Sequence, residues 1–300
     1  MTEVSELVMT KPTAFEVAYV INPWMRPTLW RESPAALRAR ANLCWQQLHD
    51  DLCARGTRVH LVAAVPGLPD LVFPANAAVV LERRVLLSRF AHAERRGEEP
   101  VFNAFFQSLR RDGIVESVAT MPSGIVQEGA GDCLWDAHRQ LFWVGYGQRS
   151  CRAAAEVIAD YFACDIQPLE LVDSRFYHLD IALAALESGE LLYCPRAFSP
   201  AGLAAIHSRV PAALRIEVTE EEAAQFCINT VSVHSCLYMT PPGKRLAGLL
   251  AARGYHLYQT DLTPFLLAGG GAACLTLRLD HRRRQETVSA NGDIPHEHRN

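Results

Sequence analysis

A single cysteine near the C-terminal end of the chain has the surroundings of a nucleophile. Three consecutive glycines at positions 269–271 lead towards Cys274, and a short apolar run suited to a β-strand follows it. Glycine adopts backbone conformations closed to other residues and lets a ligand approach closely, so this cysteine can present its sulfur at the mouth of a site. The alternative is a glycine-rich turn followed by a cysteine buried in a strand as a small apolar residue.

Two further segments carry groups for acid–base chemistry. His178 and Asp180 stand two residues apart, and in a strand such side chains face the same side. Glu128 and Asp132 flank a glycine-containing turn, where a carboxylate can orient an imidazole or accept hydrogen bonds from a guanidinium. The alternative for both segments is a polar surface turn.

Together these residue types define one kind of chemistry. A thiolate is a nucleophile, and a histidine can transfer protons to a leaving amine and from water. Carboxylates raise the pKa of a neighbouring thiol, so their presence calls for a cationic substrate. A guanidinium offers planar donor edges, an electrophilic carbon and a positive charge that favours the thiolate. This chemistry implies no metal and no organic cofactor.

The elements that must position these groups recur along the chain. A unit of two strands, a helix and a strand repeats about five times, which indicates a repeat architecture. The sequence therefore predicts an α/β fold of five ββαβ units that close into a ring, with the loops between units meeting at the axis, where a site would form. The alternative is an unrelated α/β fold whose elements alternate evenly.

The limits of the folded unit follow from the two ends of this pattern. Residues 15–21 and 274–279 are predicted to pair as the strands that close the ring. The catalytic domain is then expected to span residues 13–280, with flexible termini at 1–12 and 281–300, because the tail is polar and aperiodic. His296 and His298 in that tail are expected to be solvated rather than to bind a metal.

Composition argues against several classes of protein. The 300 residues carry a net charge of −4, so nothing indicates a nucleic-acid partner. No apolar run approaches the roughly 18 residues that span a membrane, and the N-terminus lacks the pattern of a signal peptide. The nine cysteines show neither CxxC pairing nor zinc spacing. Reduced thiols and a cytoplasmic location are the simplest account.

Seven motifs resemble those of the guanidino-group-modifying enzymes, the amidinotransferase or pentein superfamily. They are INPWM at 21–25, LPDLVFPANA at 68–77, SRFAHAERRGEEP at 88–100, EGAGD at 128–132, GYGQRS at 145–150, RFYHLD at 175–180 and AGGGAACLTL at 268–277. The chain is most similar to the arginine dihydrolases within this superfamily, and it also resembles arginine deiminase and dimethylarginine dimethylaminohydrolase. The resemblance implies a five-bladed αβ propeller (pentein fold), a guanidino substrate and an oligomer.

The resemblance also implies roles for individual residues. Cys274 matches the nucleophile, His178 the acid/base, and Glu128 the carboxylate that orients the histidine or holds the guanidinium. The residues implied to bind substrate are Asn22, Asn76, Arg95, Arg149, Asp180 and Asp132.

Three positions depart from related patterns. Asn76 stands where deiminases and dimethylarginine hydrolases carry an aspartate that grips the guanidinium, and the dihydrolases share the asparagine. Ala130 and Pro264 stand where similar dihydrolases often carry acidic residues, which implies a reshaped pocket.

The leading hypothesis is an arginine dihydrolase that releases ornithine, ammonia and carbon dioxide through an S-alkylthiouronium on Cys274. One alternative is a hydrolase that stops at citrulline, acting on arginine or on a methylated arginine. Another is an amidinotransferase that passes the amidino group to an amine. A different class is a non-catalytic binding module on the same ring, which would not need both a nucleophile and a base.

Overall fold

Five three-stranded β-sheets form the framework of residues 4–284, the part of the chain that the computed structural model describes. In each sheet an antiparallel pair is extended by a third strand that runs parallel to the middle one. The strands are β1 (Glu6–Thr10), β2 (Arg58–Val62), β3 (Ala78–Leu81), β4 (Arg84–Leu87), β5 (Ser117–Thr120), β6 (Cys133–Asp136), β7 (Leu141–Tyr146), β8 (Asp165–Glu170), β9 (Leu183–Ala185), β10 (Leu191–Tyr193), β11 (Arg215–Glu217), β12 (Val231–Val233), β13 (Cys236–Met239), β14 (His256–Gln259) and β15 (Leu277–Arg278). The last strand, β15, completes the sheet of β1 and β2, so the five units close on themselves.

In each sheet, one or two helices join the two parallel strands, as a crossover between parallel strands requires. The short helices Glu220–Ala223 and Thr263–Leu266 instead follow such a crossover and precede the next sheet. The helices are α1 (Pro27–Glu32), α2 (Pro34–Ala54), α3 (Ala93–Arg96), α4 (Glu98–Arg111), α5 (Ala154–Phe162), α6 (Pro200–Arg209), α7 (Glu220–Ala223), α8 (Lys244–Ala252) and α9 (Thr263–Leu266). In α4 the buried residues Phe102, Phe106 and Leu109 recur at helical spacing, which covers the sheet with one apolar face. The predicted α/β repeat of five ββαβ units is confirmed.

The prediction of a strand over residues 15–21 is wrong. Its place in the closing sheet is taken by β1, which lies inside the segment 1–12 that was expected to be flexible. Phe15 and Val17 are buried while the residue between them is exposed, so the segment alternates as a strand does but pairs with no strand among the described residues. Alternation indicates that one face of an extended chain is covered, and it carries no information about pairing.

The described fold reaches past both predicted domain limits. At the N-terminal side β1 is a central strand, and Leu7 and Val8 are fully buried. At the C-terminal side Arg283 donates to the carbonyl oxygens of Phe162 (2.7 Å) and Ala163 (3.2 Å). Residues 281–284 therefore belong to the folded unit. The predictions for the rest of the tail, including His296 and His298, lie outside the described residues.

Two site segments differ in local structure from the prediction. The closing strand β15 is shorter than 274–279, which leaves Cys274 in the loop before it. His178 and Asp180 do not lie on a strand, because a 3-10 turn over Leu179–Ile181 precedes β9. Both residues are nevertheless buried.

Candidate active site

Each sheet has one antiparallel edge strand, which is β3, β6, β9, β12 or β15. The segments that precede these five strands meet at the ring axis. Each carries a polar or nucleophilic side chain a few positions ahead of its strand. These residues are Asn76 before β3, Glu128 before β6, Asp180 before β9, Asn229 before β12 and Cys274 before β15. Hydrogen bonds connect Asn76 with Glu128, and Asn229 with both Asp180 and Cys274. The repeat thus brings one such group from every unit to one place.

Cys274 is buried next to a carboxylate, with 2% of its surface exposed. Its Sγ donates to Asp180 Oδ2 (3.3 Å) and accepts from Asn229 Nδ2 (3.1 Å). Burial, followed by the charge of Asp180, raises the pKa of the Cys274 thiol well above its ordinary value. The resting thiol therefore keeps its proton at neutral pH, and a bound cation would favour the thiolate.

The loop before Cys274 needs glycine at two close approaches. A Cβ at Gly270 would lie 2.3 Å from the ring of Phe73, and a Cβ at Gly271 would lie 2.8 Å from Asn229 Oδ1. Any side chain would push the loop away from these neighbours. The glycines thus allow the sulfur to reach the axis.

His178 is held in one orientation by Glu128. Its Nε2 lies 2.7 Å from Glu128 Oε2, and Arg149 Nη1 donates to the same oxygen (2.9 Å). Burial alone would raise the pKa of Glu128, but the hydrogen bond from His178 and the charge of Arg149 outweigh it and hold the pKa well below its usual range. Glu128 is therefore an anion. Because Glu128 occupies Nε2, the ring nitrogen left for a ligand is Nδ1 of His178, which has no hydrogen-bond partner in the described part of the chain.

Asn76 is oriented by a buried arginine. Arg95 Nη1 donates to Asn76 Oδ1 (2.7 Å), and Asn76 Nδ2 donates to the carbonyl oxygen of Glu128 (3.2 Å). Arg95 is itself held by two hydrogen bonds to Glu98, of 2.9 Å and 2.8 Å. These partners assign the two ends of the amide. One N–H of Nδ2 is left over for a ligand.

Three buried polar atoms near the axis have no hydrogen-bond partner within residues 4–284: Asp70 Oδ1, Asp180 Oδ1 and His178 Nδ1. Such atoms are nearly always paired inside proteins. Tyr19 donates to the other oxygen of Asp70 (3.0 Å). Burial raises the pKa of Asp70, and it raises that of Asp180 to about 7. A cationic ligand with several N–H donors fits two such carboxylates, because it supplies both the missing hydrogen bonds and the opposite charge.

The cavity beside Cys274 is nearly closed. Its volume is about 10 Å³, and Asp70, Asn76 and Arg149 are among its lining residues. That volume holds about one water molecule, so a guanidino substrate requires its walls to move outward. A larger cavity of about 530 Å³ lies between the antiparallel edge strands β3, β6, β9, β12 and β15 and reaches Asp180. It does not include Cys274, so the chemistry belongs to the smaller cavity.

Two residues predicted to bind substrate have their polar atoms engaged by the protein. Asp132 accepts from the Ser150 hydroxyl through Oδ2 (2.6 Å) and from the N–H of Leu179 through Oδ1 (3.0 Å), so both of its oxygens are engaged. These contacts favour a structural role for Asp132, which fixes the backbone beside the histidine. Asn22 does line the cavity, but its Oδ1 accepts two backbone N–H groups and its Nδ2 donates to the carbonyl of Ala268.

Asn229 is the site residue that the sequence analysis missed. It is fully buried, and it contacts both Cys274 and Asp180. The sequence around Asn229 contains no distinctive motif, but the position of Asn229 within its repeat unit is informative. Asn229 stands two residues ahead of β12, as Asn76 stands two residues ahead of β3. Applying the repeat to the fifth unit would have identified it.

Within residues 4–284, no group of three or more His, Cys, Asp or Glu side chains is arranged to hold a metal ion. No helix in this part of the chain has both the length and the apolar character to cross a membrane. All nine cysteines of the chain lie in this described part, and all are free thiols.

A closed ring of five ββαβ units with a cysteine, a histidine and carboxylates at its axis defines the guanidino-group-modifying enzymes of the pentein superfamily. The model of one family in this class, N,N dimethylarginine dimethylhydrolase, eukaryotic, matches residues 11–279. The chain belongs to this family.

Two cyanobacterial proteins are similar to nearly the whole chain. The bifunctional arginine dihydrolase/ornithine cyclodeaminase ArgZ of Synechocystis sp. is 40% identical over 281 residues, which are 93% of this chain and 38% of that protein. The corresponding protein AgrE of Nostoc sp. is 40% identical over 97% of this chain and 40% of its own length. The crystal structure of the N-terminal domain of ArgZ, bound to product, aligns with a TM-score of 0.85 and 38% identity over 93% of this chain and 99% of that one. The chain thus spans about two fifths of these bifunctional relatives.

The buried carboxylate of Asp180 is expected to reduce the stability of the free protein. The pKa of Asp180 in the folded protein, about 7, lies above its value in the unfolded chain. Protonation of Asp180 therefore stabilises the folded protein fully below pH ~4, and this stabilisation is lost as the pH rises through ~7. Asp180→Asn should therefore raise the free energy of unfolding at pH 8, by about 2 kcal/mol, and the gain should vanish towards pH 4. Urea unfolding without ligand at several pH values measures this.

The exposed Asp160 on α5 supplies the matched control, because Asp160→Asn makes the same chemical change in solvent. Its unfolding free energy should follow that of the unaltered protein at every pH. A loss of stability in Asp180→Asn at pH 8, or a gain that does not depend on pH, would contradict the argument.

Proposed function

We propose that this chain hydrolyses the guanidinium group of arginine twice and releases ornithine, two molecules of ammonia and carbon dioxide. The observation that carries the proposal is a set of buried atoms without a hydrogen-bond partner among the described residues: Oδ1 of Asp70, which lines the nearly closed cavity beside Cys274, Oδ1 of Asp180, whose other oxygen contacts Cys274, and Nδ1 of His178. A guanidinium supplies the donors and the charge that these carboxylates lack. The similarity to ArgZ and AgrE supports arginine as the substrate.

The first step in this mechanism is activation of the thiol by the substrate. The guanidinium donates hydrogen bonds to Asp180 and takes over the place of the thiol proton, which at present lies between Cys274 and Asp180. The positive charge lowers the pKa of the thiol, its proton passes to Nδ1 of His178, and the thiolate attacks the guanidinium carbon. Burial of the site strengthens this electrostatic effect, because water does not screen it.

His178 moves protons in the later steps. Nδ1 gives a proton to the departing ammonia and then takes one from the water that attacks the S-alkylthiouronium. Glu128 stabilises the positively charged imidazole through its hydrogen bond to Nε2. Hydrolysis leaves a bound ureido group. A second round releases the other ammonia and a carbamate, which loses carbon dioxide to give ornithine.

Asn76 is the residue on which the second round depends in this proposal. Its oxygen is taken by Arg95, and an N–H of Nδ2 remains available. A donor suits the neutral carbonyl oxygen of a ureido group and helps to retain it. A carboxylate at this position would repel that oxygen and would also face the carbonyl oxygen of Glu128.

The Asn76→Asp variant should therefore shift the product from ornithine towards citrulline while arginine is still consumed. A change of about 1.4 kcal/mol in the partition alters the ratio tenfold. Chromatography of the amino acids formed measures the ratio. The control is Asn103→Asp on the exposed face of α4, which makes the same change away from the site. An unchanged ornithine yield in Asn76→Asp would remove Asn76 as the cause of the second round.

The second candidate is a hydrolase that stops at citrulline and accepts arginine or a methylated arginine. The family model that matches residues 11–279 carries the name of a dimethylarginine hydrolase, which favours this alternative. With arginine as the substrate, its chemistry is identical up to the first hydrolysis, so only the products separate the two. An amidinotransferase would instead require an acceptor amine, and a binding module would have no use for the thiol beside Asp180.

The proposal also covers the setting of the domain. The catalytic domain runs at least from β1 to Arg283, because both ends make the contacts described above. The free thiols favour a cytoplasmic location. Oligomer formation stays a prediction.

A further inference from the structure

Asn229 contacts the candidate nucleophile with every polar atom of its side chain. Its Oδ1 accepts from the N–H of Cys274 (3.1 Å), and its Nδ2 donates to Cys274 Sγ (3.1 Å) and to the carbonyl oxygen of Asp180 (3.2 Å). Asn229 has no exposed surface. Both N–H donors of the amide and its acceptor oxygen are therefore engaged.

These partners determine which end of the amide faces the sulfur. The N–H of Cys274 is only a donor, so the atom facing it must be the amide oxygen of Asn229. The carbonyl oxygen of Asp180 is only an acceptor, so the atom facing it must be the nitrogen. An N–H donor is therefore directed at Sγ.

A donor at this position favours the ionised sulfur. In the resting site the thiol of Cys274 donates to Asp180 Oδ2. After ionisation the sulfur is only an acceptor and carries a charge, and a hydrogen bond to a charged group is roughly twice as strong as one between neutral groups. The contact with Asn229 therefore gains strength when the proton leaves.

We propose that Asn229 is a positioning residue that holds Cys274 at the axis and stabilises its thiolate form. The hydrogen bond from the N–H of Cys274 to Oδ1 fixes the backbone of the loop, and the hydrogen bond from Nδ2 to Sγ stabilises the charge of the thiolate. A single side chain thus influences both the position of Cys274 and its ionisation. The close fit of Gly271 against Asn229 Oδ1 keeps the loop at this distance. The inference rests on the proposed role of Cys274 as the nucleophile.

The test is the pH dependence of kcat/KM for arginine in Asn229→Ala and Asn229→Asp, together with the ultraviolet absorbance of the thiolate relative to Cys274→Ser. Loss of the donor in Asn229→Ala should move the ionisation of Cys274 upward by about one pH unit or more, and activity at neutral pH should fall at least about tenfold and recover partly at high pH. Asn229→Asp should shift it further, because a like charge is added beside the sulfur. The aspartate has the same shape and keeps the acceptor for the N–H of Cys274, so it tests the donor even if the alanine variant does not fold.

The control is Thr230→Val, because the hydroxyl of Thr230 donates to the carbonyl of Tyr238 (3.0 Å) rather than to Cys274. Its pH profile should match that of the unaltered protein. Activity lost equally at all pH values in both Asn229 variants, or left unchanged, would overturn the inference. An active Cys274→Ser variant would instead overturn the proposed function, so the two failures can be told apart.

Discussion

The Cys274→Ser variant is expected to lose turnover of arginine, by on the order of 10⁴-fold or more, while its fold remains. Serine has nearly the same size, but its hydroxyl does not ionise near neutral pH as an activated thiol does. Asp180 and Asp70 are unchanged, so arginine should still bind. Activity assays and calorimetric titration with arginine measure the two properties separately.

The control for the cysteine is Cys53→Ser, a change at an exposed thiol on α2. This variant should keep full activity. Mass spectrometry of the unaltered enzyme quenched during turnover should find substrate attached to the peptide of Cys274 and to no other cysteine. Substantial turnover by Cys274→Ser would remove this residue from its proposed role.

The His178→Ala variant is expected to slow the reaction by about 10²–10⁴-fold, the usual contribution of a general acid–base group. Both formation and hydrolysis of the thiouronium should be slower, because Nδ1 serves ammonia in one step and water in the other. If hydrolysis is slowed more than attack, the covalent adduct on Cys274 should accumulate. Single-turnover kinetics with mass spectrometry of the adduct follow both steps.

His178→Gln separates proton transfer from shape, since glutamine can hydrogen bond to Glu128 but does not titrate. It should be nearly as slow as the alanine variant. His256→Gln on β14 makes the same change at an exposed position and should leave the rate intact. A near-normal rate for His178→Gln would show that the histidine is not the acid–base group.

The repeat explains why much of the fold could be predicted from the sequence. Each ββαβ unit has its own strand and helix signals, and five similar units confirm one another. The sequence analysis missed β1, because this strand lies between β15 and β2 and has buried residues on both faces, so it shows no alternation. The alternating segment 15–21 gave the stronger strand signal, although it pairs with no strand in residues 4–284.

Part of the site was also accessible from residue type alone. Cys274 and Glu128 stand close to glycines and His178 stands two residues from Asp180, and the structure brings these groups to one axis. Asp132 has the same appearance in the sequence as Glu128, yet the Ser150 hydroxyl engages it. Asn229 is a neutral amide in an ordinary segment. Such roles depend on which neighbours a side chain meets, and that is fixed only when the ring closes.

The most direct test of the proposed function is a product balance for the unaltered protein. The protein is incubated with arginine, and ornithine, citrulline and ammonia are quantified over time by chromatography and an ammonia assay. The proposal predicts two molecules of ammonia for each ornithine, with little citrulline released. One molecule of ammonia for each citrulline, with no ornithine, would contradict it and would favour the hydrolase that stops at citrulline.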